Sequence, residues 1–215
     1  MSLVKLLIYA GYLFLFINTL IYLFQIKGSY KTYRIFTGYL VFISIIQFIN
    51  WFLAENKIDN LYLSHYYFIG QFIWLSFFFR SLISNSSYKK GIVFIASTIV
   101  VYLVIEYLLW PEKYFKFNLS EIILCSIPIV LYSILFFFQS MASDEKKYLF
   151  INSGIFLYLL CSTLIFVAGN YVSPKQTFWN QFIWFMNSLL YIVYLILIFV
   201  EWYKNFRKGE ATDLN

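Results

Sequence analysis

The fold class predicted by this sequence is all-α, a polytopic membrane bundle of seven transmembrane helices. Three observations carry that reading. The 215 residues are 62% hydrophobic and only 12% charged, whereas soluble domains carry about 25% charged residues. Mean hydropathy is +0.74. The apolar residues gather into seven runs of about twenty, the length a helix needs to cross the roughly 30 Å hydrocarbon core of a bilayer.

The first run, Leu3–Phe24, begins almost at the N-terminus with no charged n-region and no convincing small-residue cleavage site. It reads as a retained helix, not a signal peptide. The second, Ile35–Ala54, closes on Gln47, Phe48, Ile49, Asn50 and Trp51. The third and central run, Leu61–Leu82, is interrupted by the only histidine, His65, by Gln71 and by a closing Arg80. Polar groups in a span are costly, so they turn toward other helices or a water-filled cavity. The fourth, Gly91–Trp110, carries Glu106 in its last part. Pro128 interrupts the fifth, Leu119–Met141; it deletes one helix hydrogen bond and predicts a kink that frees the Leu124 carbonyl. The sixth and seventh are Tyr148–Asn170 and Phe178–Trp202, the latter holding Asn187 and Glu201. Short connections predict antiparallel neighbours in one bundle. The expectation is a single domain over 1–215 with a short basic tail over 203–215.

Lysine and arginine set the orientation, because cytoplasmic connections are enriched in both. The connections after runs one, three and five, with the tail, hold eleven of the 16 basic residues: Lys27, Lys31, Arg34, Arg80, Lys89, Lys90, Lys146, Lys147, Lys204, Arg207 and Lys208. The other side holds Lys5, Lys57, Lys113, Lys116 and Lys175. The N-terminus is therefore expected outside and the C-terminus in the cytoplasm. A multi-pass protein of the inner (cytoplasmic) membrane follows, with the lipid bilayer as its first partner. Trp51, Trp110, Trp179 and Trp202 fall near run ends, as an aromatic belt would place them.

Several classes are disfavoured. The net charge of +6 is spread between spans, so nucleic acid is not an expected partner. Cys125 and Cys161 both lie inside spans, which disfavours a disulfide framework, and metal-ligand spacing is missing. The sequence has no nucleophile elbow, Walker loop or HExxH, and no lysine in the seventh run for a retinal Schiff base. Neither a catalytic residue nor a cofactor is expected.

Helix rise of about 1.5 Å per residue turns position into depth. On the expected outer side, Asn50, Glu106 and His65 lie within roughly 6 Å of the boundary. Gln47 and Tyr67 lie at about 10 Å, with Gln71 and Asn187 at about 15 Å. Glu121, Asn170, Asn180 and Gln181 ring the mouth. Two readings compete for these groups. They line an outward cleft walled by aromatic rings, suited to a small amphipathic ligand or lipid, or they hydrogen-bond between helices as glue. His65 either senses external pH or caps a helix, with Glu106 as one partner within reach. Arg80 and Glu201 share the cytoplasmic end, where they either pair as a lock or snorkel separately to the interface. Gln-Phe-Ile-Trp occurs at 71–74 and again at 181–184. As a duplication it would suit a transporter built of three-helix repeats around a linking fourth helix.

The run Leu63-Ser64-His65-Tyr66-Tyr67 with Gln71-Phe72, the Asn152-Ser153-Gly154 opening of the sixth run, Asn187-Ser188-Leu189, and the ending Phe199-Val200-Glu201-Trp202-Tyr203-Lys204 together resemble uncharacterised small seven-helix membrane proteins of Bacteroidetes bacteria. These are similar to membrane input modules of sensor kinases. Where the resemblance leads one to expect an acid, this chain has Gln71. About a dozen residues follow the last run, too few for a kinase domain on this chain. The resemblance implies a sensory or receptor-like module that signals to a separate cytoplasmic protein through its tail. An accessory or effector subunit of a larger membrane complex, of defence or secretion type, is the alternative, together with a small transporter or channel.

Overall fold

The computed structural model describes residues 3–142, 146–170 and 177–207. Seven α-helices follow in order: α1 Leu3–Phe24, α2 Lys31–Glu55, α3 Leu63–Leu82, α4 Ser86–Leu109, α5 Leu119–Met141, α6 Leu149–Asn170 and α7 Thr177–Asn205. A 3-10 turn, Pro111–Phe115, joins α4 to α5. Among the described residues there is no strand. α1 and α5 coincide with their apolar runs. α4 starts earlier than its run because Asn85 caps it, its side chain accepting from the amides of Ser87 at 2.8 Å and Tyr88 at 3.3 Å. The turn between Asn85 and Gly91 is polar, so hydropathy alone misses it. α5 runs on through Pro128.

Six of these helices are long and apolar enough to cross a membrane. The exception is α3, where His65, Gln71 and Arg80 dilute the apolar run. Burial is inverted relative to a water-soluble protein. Asn18, Thr37 and Asn152 are fully buried, while Phe94, Leu108 and Phe138 are each at least two-thirds exposed. Large apolar surface of that extent requires a hydrocarbon solvent. The chain is an all-α, multi-pass membrane protein.

Contacts cluster in two compact units, Met1–Tyr30 with Ser133–Asn215, and Lys31–Tyr132. In the first, α7 packs on α1 and α6. Lipid is as apolar as a leucine side chain, so helices in it associate through close packing and polar bonds rather than hydrophobic exclusion. Asn18 Nδ2 donates to the Leu195 carbonyl at 2.9 Å and the Tyr22 hydroxyl to that of Ile198 at 3.1 Å. Tyr158 and Tyr194 stack at 5.5 Å. Glu201, fully buried, accepts from the backbone amides of Tyr148 at 2.5 Å and Phe150 at 2.9 Å, and from Asn205 Nδ2 at 2.5 Å. It closes the N-terminus of α6, where unpaired amides and the helix dipole both favour an anion. Tyr148 reaches this bond at a φ of 68°, a left-handed conformation costly for a bulky residue.

In the second unit α3 packs on α2 and α4. Two glycines let α2 and α3 approach. A Cβ on Gly38 would stand 2.7 Å from the Trp74 ring, and one on Gly70 would stand 2.2 Å from the ring of Phe42. Each helix thus seats an aromatic ring in a notch of the other.

Candidate functional site

At one end of the second unit, the start of α3, the end of α4 and the start of α5 converge on a buried polar cluster. Antiparallel order brings those three termini together, and the 3-10 turn closes over them. Asn118 fixes the start of α5 by accepting from the Glu121 amide at 3.2 Å. That sets Glu121 in the first turn, where the helix dipole favours a carboxylate.

His65 and Glu121 are 3% and 1% exposed. Nδ1 of His65 lies 3.0 and 3.2 Å from the two Glu121 oxygens, and Nε2 lies 3.1 Å from the Tyr114 carbonyl. The Tyr107 hydroxyl donates to Glu121 Oε2 in a short bond. Its oxygen accepts from Asn118 Nδ2 at 3.2 Å and lies 2.9 Å from Nδ1. The imidazole stacks on Tyr114 at 5.6 Å and meets Tyr107 at 5.0 Å.

Proton counting follows from these contacts. A carbonyl only accepts, so Nε2 carries hydrogen. Tyr107 directs its hydrogen to Glu121, so its oxygen, like the carboxylate, offers lone pairs to Nδ1. Every group around the ring nitrogens is then an acceptor, the surroundings an imidazolium requires. The cluster holds one proton between two buried groups and is neutral as a pair. A second proton, or the loss of that one, would leave net charge out of water, which costs several kcal/mol.

Beside it, Glu106 is 4% exposed and accepts from Lys113 Nζ at 2.7 Å, while its Oε2 has no partner. Lys113 also sits 5.0 Å over the Trp110 ring. The bond to Glu106 raises the lysine above its ordinary pKa. The Tyr114 phenol is pushed up to about 12, first by desolvation and then by its 2.7 Å bond to Tyr66.

Of the residues singled out in the sequence, the structure brings His65 into this cluster and Glu106 to its edge. Glu106 pairs with Lys113, the cation one helix-end away, and His65 takes Glu121. Gln71 instead donates to the Tyr39 hydroxyl at 3.0 Å, joining α3 to α2 as glue. Asn50 accepts from Asn60 at 2.8 Å across the α2–α3 connection, and Tyr67 packs edge-on against Phe68. Gln47 is half-buried on α2. Asn187 belongs to the first unit, with a buried Oδ1 that has no partner. Arg80, the partner expected for Glu201, belongs to the second unit, and the Glu201 carboxylate is satisfied inside the first. The side chains of Asn170 and Asn180, together with Lys175 and residues 208–215 of the tail, lie outside the described residues.

Tyr107, Tyr114 and Asn118 were not singled out from the sequence. A signal for part of the cluster was present: Asn118 followed three residues later by Glu121, ahead of an apolar run, is a helix-start signature. No group of His, Cys, Asp or Glu among the described residues could hold a metal ion.

Fold and site together define a helical multi-pass membrane protein with a buried acid–base cluster at one end of one unit. No family model matches the chain, and no curated protein or solved structure matches it either.

Proposed function

We propose that this protein is a sensory membrane module whose sensing element is the His65–Glu121–Tyr107 cluster, and that its stimulus is acidity. One observation carries the reading: both nitrogens of a buried imidazole face acceptors, one of them a buried carboxylate. Such a pair changes charge only by breaking its own hydrogen bonds, so protonation is coupled to the positions of three helix ends. The facing groups are Glu121 from α5, Asn118 just before it, Tyr107 from α4 and Tyr114 from the 3-10 turn; Glu106 and Lys113 stand alongside. The topology in this proposal has seven spans, the N-terminus outside and the C-terminus in the cytoplasm. It follows the eleven basic residues and puts the cluster at the outer face of the inner membrane. The basic tail would then meet a cytoplasmic protein partner.

The test is a pH step on one side of the membrane. The full chain, reconstituted in liposomes with a fluorophore at Arg207→Cys, is acidified outside only. The expected result is a change in tail fluorescence that His65→Gln and Glu121→Gln both abolish. A tail indifferent to outside acidification in the unsubstituted cluster overturns the reading. The cluster is then a clamp on three helix ends and the chain an accessory subunit of a larger complex.

A further inference from the structure

The second unit carries another feature that the acid–base cluster does not use. A groove of about 210 Å³ runs between α3 and α4, lined by Ile73, Ser76, Phe77 and Arg80 on one wall and by residues from Ile92 to Val100 on the other. It is not lined by Gln47, Tyr67 or Gln71, where an outward cleft was expected. Its walls are almost wholly apolar, and Phe77 and Val93 are 47% and 40% exposed. At its mouth stands the Arg80 guanidinium, exposed; no carboxylate pairs with it among the described residues. Lys89, half-buried, lies one turn before Val93 on the same face of α4 and therefore at the same end. One turn along α3 from Arg80, Ser76 is 4% exposed, and its hydroxyl has no hydrogen-bond partner. A helical serine ordinarily satisfies itself on the carbonyl four residues back; this one does not.

We infer that this groove binds an anionic phospholipid. Its phosphate sits between Arg80 and Lys89, and one acyl chain lies along Ile73, Ile92 and Ala96. The spacing fits. Arg80 and Ser76 are about 6 Å apart along α3, and the apolar floor continues roughly 5 Å beyond. Two cations at the mouth of an apolar groove complement an anionic headgroup specifically, since a zwitterionic lipid brings its own ammonium into the same space. A guanidinium adds paired donors for phosphate oxygens.

The experiment uses the full chain in phosphatidylcholine nanodiscs containing a minor fraction of phosphatidylglycerol, with lipids retained after detergent extraction counted by native mass spectrometry. The expected result is retention of phosphatidylglycerol over phosphatidylcholine. Arg80→Gln should lower it about tenfold, the size of one charge-assisted contact, with Arg80→Lys between. Ala96→Phe, which fills the groove without touching charge, should also abolish retention. Helix content and melting in pure phosphatidylcholine serve as the folding control for each variant. Equal retention of the two lipids, or full retention by a folded Arg80→Gln, overturns the inference. So does complete displacement by inorganic phosphate, which would mark an anion site with no lipid specificity.

Discussion

Two buried carboxylates, one in each unit, are held in opposite ways. Glu201 takes its hydrogen bonds from backbone amides at the start of α6 and from Asn205, none of which can change protonation in the working range. Glu121 takes its bonds from Tyr107 and from His65, and the second is an imidazole, the side chain whose ordinary pKa lies nearest neutrality. The same side chain therefore acts as a fixed pin in one place and as part of an acid–base device in the other. Burial does not separate the two, for both are essentially inaccessible; the chemistry of the donors does.

The comparison breaks most readily at the pin. Glu201→Ala leaves two buried amides and an asparagine without an acceptor, and Tyr148 keeps its strained conformation with nothing gained. The expected loss is about 4 kcal/mol, since each orphaned buried donor costs about 1–3. It should be read as a lowered unfolding midpoint in lipid at neutral pH, and an unchanged midpoint would show that the carboxylate does not hold the start of α6.

At the acid–base cluster, His65→Gln and Glu121→Gln should each destabilise, and the double variant should cost less than their sum. A coupling of about 2 kcal/mol in that cycle is the expected size for a buried pair in contact. Strict additivity would separate the two groups energetically despite their 3.0 Å contact. A smaller effect sharpens the local picture. Asn118→Ala removes the cap of α5 and one donor to Tyr107, for about 1 kcal/mol, and should weaken the pH response of tail fluorescence without abolishing it. The smallest effect is spectroscopic. Tyr114 ionises at about 12 against an ordinary 10.0, so its folded form stays neutral while an unfolded phenol would already have ionised. Its contribution is present below pH 10.0 and is lost as pH rises toward about 12. Phenolate absorbance measured near pH 12 should fall by the contribution of one tyrosine in Tyr114→Phe.

The helices were legible in the sequence because each apolar run is long and its interruptions are few. Only the ends moved: α2, α4 and α7 run past their apolar parts, as Ser86 to Lys90 do under the Asn85 cap, while α3 and α6 start later than their runs. The site was legible in part. His65 stood out as the only histidine, and Glu106 as an acid inside a span. What depth alone could not supply was rotation about the helix axis. Counting along the runs gives Gln71 the depth of Asn187, yet its helical face carries it to Tyr39. Arg80 and Glu201 sit at equivalent ends of α3 and α7, yet unpaired amides at the start of α6 offer Glu201 shorter and more numerous bonds. Glu121 looked like a member of the rim, since nothing in its neighbourhood in the sequence announces that α3 will bring an imidazole against it.

The reciprocal glycine notches of α2 and α3 have a mechanical meaning. Trp74 in the notch of Gly38 and Phe42 in the notch of Gly70 work like two meshed teeth set a helical turn apart. Sliding either helix along its axis would drive a ring out of one notch and against backbone at the next, so axial travel is blocked in both directions. Tilt and rotation of the pair as one stiff arm are left. Along that arm His65 and Arg80 are roughly 22 Å apart, so a displacement at one end would be carried to the other rather than absorbed as slippage between helices.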